Sequence, residues 1–143
     1  MNLKQQGIHR IEVAIIVVAV GVLVAVAFPV YQSHTLTPKF SEVMSALGPY
    51  KFAVETCAKD GSCVVDGKLS GLAAGKFGIP PSVSTTYLAK VAVASDGTIT
   101  ATASNAGGLA GETFILTPTF VSGGPVSWAG TGTCKTRPAG AIC

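Results

Sequence analysis

The chain opens with one kind of hydrophobic pattern and closes with another. From Val13 to Val30 no side chain is charged or polar. Eighteen residues at about 1.5 Å each predict a helix of about 27 Å, long enough to cross the hydrocarbon of a bilayer. Further on, Phe40, Val43, Met44 and Leu47 recur at i, i+3, i+4 and i+7, the one-sided stripe of a helix that covers a sheet. Thr37-Pro38 reads as an N-cap followed by a proline at the first helical position, so the helix is expected to continue in pieces after Gln32. Pro38 and Gly48-Pro49 each predict a kink or break, with helical character ending near Cys57. From Ala58 to Thr86 the pattern is irregular, punctuated by Asp60-Gly61, Asp66-Gly67 and Pro80-Pro81. Then come β-prone runs: Tyr87 to Ala94, Thr98 to Ala103, Thr113 to Val121 and a short one from Pro125 to Trp128. Ser95-Asp96-Gly97 joins the first two as a hairpin, and Pro118 predicts an edge or a bulge. The order of elements predicts an α+β fold: a long N-terminal hydrophobic helix packed on an antiparallel meander.

The residues before the apolar run change its meaning. Met1 to Gly7 carries a single basic residue, Lys4, and Glu12 stands at the lip of the run. An unpaired carboxylate there is costly in lipid and marks a function. Cleavage after Gly7 would free an amine on Ile8, four residues before the carboxylate, and in a staggered bundle of identical helices Glu12 of one copy meets the Ile8 amine of another. Two other readings stand beside this one. Glu12 pairs with Arg10 in the headgroup region, or Lys4 and Arg10 belong to an ordinary secretory signal cut after Ala25-Val26-Ala27, releasing a domain that starts at Phe28.

In Gly7, Ile8, Glu12, Gly21, Pro29 and Tyr31-Gln32, the stretch resembles the type IV pilins in residue type and spacing. The resemblance covers residues 1 to 32 strongly, and the later hairpins and terminal cysteines loosely. It implies a prepilin leader over 1–7, a transmembrane and filament-core helix over 8–32 and a globular head over 33–143. It further implies cleavage between Gly7 and Ile8, N-methylation of Ile8, and assembly through Glu12, Gly21, Pro29 and Tyr31. His9 and Arg10 depart from the family's usual opening, and Arg10 sets a cation beside the acid.

Composition narrows the class. Charged residues make up 12% of the chain, about half the usual share, and such a surface suits close packing with copies of itself. The formal charge of +3, which loss of Lys4 lowers to +2, is too weak a bias to imply nucleic acid. Four cysteines suggest disulfides made in an oxidising compartment. Three connectivities are open, and the local pairs Cys57–Cys63 and Cys134–Cys143 are favoured. Their spacings are not those of a zinc site, and Asp60 with Asp66 is too sparse a set for calcium.

No nucleophile and base, phosphate loop or dinucleotide fingerprint can be assembled, so no enzyme and no cofactor is expected. The expected partners are the chain itself in a helical homopolymer, a prepilin peptidase, the pilus assembly machinery and the inner membrane before export to an extracellular pilus. The Cys134–Cys143 loop, with Lys135 and Arg137, is the candidate contact for DNA or a host receptor, or else a solvated staple. The resemblance implies a pilus subunit serving adhesion, motility or DNA uptake. A minor DNA-binding competence pilin and a type II secretion pseudopilin are its alternatives.

Overall fold

A computed structural model describes the chain from Asn2 to Cys143, with side chains at 10–25 and 34–143. Two helices, α1 (Asn2–Ser45) and α2 (Gly48–Asp60), precede a two-residue hairpin of β1 (Val64–Val65) and β2 (Lys68–Leu69). The main sheet follows: β3 (Leu88–Val93), β4 (Ile99–Ala103), β5 (Thr113–Thr119) and β6 (Ser127–Thr131). Its spatial order is β3-β4-β5-β6 and every neighbour is antiparallel. This is the α+β meander that the hydrophobic pattern predicts.

The helices cover the sheet with a single stripe. Leu36, Phe40, Val43, Leu47, Tyr50, Val54 and Cys57 are all buried, and their alternating spacing of four and three residues keeps one face inward. The stripe holds its phase across the turn at Ala46–Leu47, where α1 stops and Pro49 opens α2. Met44, expected in the stripe, is 36% exposed and lies off it. α1 packs chiefly on β4, where small Ala101 and Ala103 face it and allow close approach. In β3 a register shift between Leu88 and Lys90 moves the inward positions to Leu88 and Val91, both buried.

Three further expectations need correction. α1 does not restart at Thr37-Pro38 but runs through it to Ser45. Leu36 and Phe40 are buried on either side of the proline, so packing holds the helix while the missing hydrogen bond falls at exposed Pro38. α2 outlasts Cys57 and ends at Asp60, where Gly61 takes the left-handed conformation (φ 77°). The stretch predicted to be irregular contains the β1–β2 hairpin, turned by Asp66 and Gly67 at φ 51° and 74°. At Pro118 the structure agrees with the expected edge: β5 lies between β4 and β6, but its pairing with β4 ends at Leu116, so Pro118 breaks no bond in that ladder.

Candidate assembly helix and disulfide-bounded loop

Two regions carry the chemistry singled out in the sequence. The first is α1 ahead of the head. Residues 10–25 are exposed throughout, and the large aliphatic side chains there range from 47% exposed at Val13 to 68% at Leu23. Ile, Val and Leu occupy every side of this helix, so no rotation hides them against the head. Val and Ile are also modest helix formers in water, so such a segment depends on an apolar surrounding. Glu12 and Gly21 lie within this stretch, Glu12 exposed at its start and Gly21 with open space around its Cα. Among the described residues, no helix is long and apolar enough to cross a membrane. The predicted span reaches past Ala25, and its last part lies outside the described side chains. Gly7, Ile8, Pro29 and Tyr31 likewise lie outside the described side chains.

The second region is the loop closed by the Cys134–Cys143 disulfide. Gly132 (φ 130°) delivers the chain into it. A Cβ there would overlap the Thr113 carbonyl, so only glycine lets the strand end approach β5 this closely. The Thr113 carbonyl then accepts from the Cys134 amide at 3.2 Å, and the Thr133 hydroxyl oxygen accepts from the Thr113 amide at 2.8 Å. Ile142 is buried, and its amide donates to the Cys134 carbonyl at 2.9 Å. The loop is thus held to β5 by backbone and hydroxyl bonds at its start and closed on itself by sulfur.

Its cations are committed to the chain. Arg137 Nε donates to Glu112 Oε1 at 2.9 Å, with side-chain exposures of 15% and 7%. Glu112 Oε2 accepts from the Ala110 amide at 2.8 Å. Lys135 Nζ donates to the Gly130 carbonyl on β6 at 2.7 Å, while the residue stays exposed. Arg137, expected as a ligand contact, is placed by the structure against Glu112, where its guanidinium answers a carboxylate that would otherwise be buried alone. Arg137 Nη1 is buried without a hydrogen-bond partner. The sequence reading passed over Glu112. The scarcity of acids, seven in all, was the available signal, but nothing local linked it to residue 137.

The other disulfide, Cys57–Cys63, closes the turn at the end of α2. Beyond it, α2 is tied to β6: Trp128 Nε1 donates to Glu55 Oε1 at 2.7 Å, and the Lys51 amine lies 5.7 Å from the Trp128 ring centroid. Tyr50 is buried and its hydroxyl donates to the Pro81 carbonyl at 2.6 Å, anchoring the loop before β3. Burial pushes the Tyr50 phenol above its ordinary value, partly offset by a backbone hydrogen bond from Val83. Among the described residues, no group of three or more His, Cys, Asp or Glu is placed to hold a metal ion.

The sequence is similar to those of known proteins. The family described as Pilin (bacterial filament) matches residues 38–143. The type IV major fimbrial protein FimA of Dichelobacter nodosus is 37% identical over 81 residues, covering 54% of this chain and 52% of the relative. The type IV pilus subunit protein TapA of Aeromonas hydrophila is 36% identical over 85 residues, covering 59% and 56%. Fimbrial protein EcpC of Eikenella corrodens is 33% identical over 131 residues, covering 87% and 80%. The alignments with the FimA relatives span about half of those proteins or less. Helix-on-meander architecture, a family match over most of the head, and a relative aligned along nearly the whole sequence agree: the chain belongs to the type IV pilin family.

Proposed function

We propose that this chain is a structural subunit of a type IV pilus, polymerised through α1 and displayed outside the cell. The observation that carries the reading is the sleeve of exposed aliphatic side chains over residues 10–25. At about 25 cal/mol per Å² of apolar surface, that area drives burial in lipid before assembly and against other copies afterwards. A prepilin peptidase cuts after Gly7, Ile8 is methylated, and the processed chain waits in the inner membrane. The assembly machinery then transfers it into the fibre. Gly21, Pro29 and Tyr31 lie along the helix that packs in the fibre core, and the head, residues 33–143, forms the outer shell. The fibre serves adhesion, motility or DNA uptake.

In this reading Glu12 meets the Ile8 amine of a neighbouring copy and sets the axial register. Stranding one charge of a buried pair costs about 3–5 kcal/mol, enough to select one stagger over others. Glu12→Ala is therefore expected to abolish fibres sheared from the cell surface while membrane-bound subunit persists. Fibres at normal yield would refute the role of Glu12. Mass analysis of the mature N-terminus tests the processing: a methylated Ile8 is expected, and a chain starting at Phe28 would replace this reading with that of a secreted domain. A DNA-receptor role gains little from the loop, because Arg137 and Lys135 already serve the chain's own oxygens.

A further inference from the structure

Among the described residues, the most exposed large apolar side chain is Phe52, at 71%. It falls off the buried stripe of α2 and takes no part in the core. Beside it opens a groove of about 280 Å3 between α2 and the loop before β3, walled by Pro49, Phe52, Thr56, Phe77 and Pro80. No residue lining the groove carries a charge.

The second wall is held in a conformation that its residue type resists. Phe77 has φ 52° and Gly78 φ 76°, and the Ile79 amide donates to the Lys76 carbonyl at 2.8 Å. Positive φ at both central positions is the pattern of a type I′ turn, whose first position favours Asn, Asp or Gly. A bulky aromatic there is strained. Phe77 gains no core packing in return: it remains 42% exposed and outside the residues packed against the core. Buried Ile79, two residues on, anchors the loop without it.

We infer that this groove is a head-to-head contact, filled in the fibre by an apolar side chain from a second copy of this chain. The inference rests on the pilus reading above. Because the buried stripe keeps its phase from Leu36 to Cys57, the outward face of α2 continues the outward face of α1. The sheet covers the opposite side, so a bundle built on α1 turns Phe52 toward neighbouring subunits. The groove is below the usual range of small-molecule pockets, about 300–1,000 Å3, and suits one or two side chains. Its lack of charge matches a partner whose own exposed surface offers Val65 and Val121. A fibre repeats one heterologous contact, so knob and groove on different faces of one molecule propagate it.

The test places a photo-reactive benzoylphenylalanine at position 52 of the full chain in cells and irradiates sheared fibres. The expected product is a dimer or longer ladder whose cross-linked peptides both come from this chain. If unmodified fibres form but position 52 links to nothing, or to another protein, the groove is not a self-contact and the pilus reading stands. If the unmodified chain makes no fibres, the pilus reading falls and this inference with it. Phe77→Asn supplies an independent readout. It is expected to raise the melting temperature of the detergent-held monomer, by relieving the turn, and to lower the yield of sheared fibres several-fold. A lower melting temperature would assign Phe77 to the head's own packing, and unchanged fibre yield would remove it from assembly; either overturns the inference.

Discussion

Residues 10–25 and residues 36–57 are both helical and both rich in aliphatic side chains, yet one is bare and the other closed. The second stretch spaces its large apolar residues by three and four, so one face meets the sheet and the other meets water. The first has them on all sides, so no single partner surface can cover it. Burial inside a chain requires a stripe, whereas burial among copies or in lipid requires a sleeve. The same protein holds both, and its two modes of burial are written in different periodicities.

The sharpest way to break this contrast is to make equivalent cuts in the two regions. Phe40→Ala removes a fully buried ring and is expected to cost about 3–5 kcal/mol in denaturant unfolding of the detergent-held full chain. Val17→Ala, in the bare stretch, should stay within about 0.5 kcal/mol in the same measurement while reducing fibre yield. Equal losses of monomer stability at both sites would erase the distinction between stripe and sleeve.

Within the head, Glu112→Ala leaves Arg137 facing an interior without its carboxylate, and the expected loss is about 3 kcal/mol. Limited proteolysis should then cut within residues 135–142 first, because the loop loses the ion pair that holds Arg137 while the disulfide still joins its ends. A loop that stays resistant would show that backbone bonds alone fix it.

The smallest expected effect concerns alkaline pH. Tyr50 is raised in the folded state, so its neutral form is favoured there. Its contribution is fully present below the ordinary phenol value near pH 10 and is lost as pH rises through the higher native value. Tyr50→Phe should flatten this alkaline decline, at a cost of about 1 kcal/mol at neutral pH for the lost bond to Pro81.

Much of the head was legible because its signals are short-range. Asp66-Gly67 and Ser95-Asp96-Gly97 turn the chain where turn chemistry places them; the Gly97 amide donates to the Ala94 carbonyl and Asp96 Oδ1 accepts from the Thr98 amide. Strand positions fall within a residue or two of the β-prone runs, except that β6 lies later than Pro125 to Trp128, reaching Thr131. Pro38 misled because proline's local preference is to start a helix, and buried neighbours on either side outweighed it. The ion pair of Arg137 was hidden for the opposite reason: a basic residue in a short loop looks solvated until a carboxylate from another part of the chain is brought beneath it. Phe52 was readable in principle, since it breaks the spacing of Tyr50, Ala53, Val54 and Cys57, but its meaning required the loop that brings Phe77 beside it.

The sequence by itself determined the sleeve, the stripe, the turns and hence the class of fold, because each depends on residues within a turn or two of helix or a few residues of strand. The tertiary structure alone decided which charges face each other, that α1 passes through Pro38, and that two aromatic residues share a groove. Those outcomes depend on the free energy of burying groups that are distant along the chain, and no local pattern encodes which distant group will arrive.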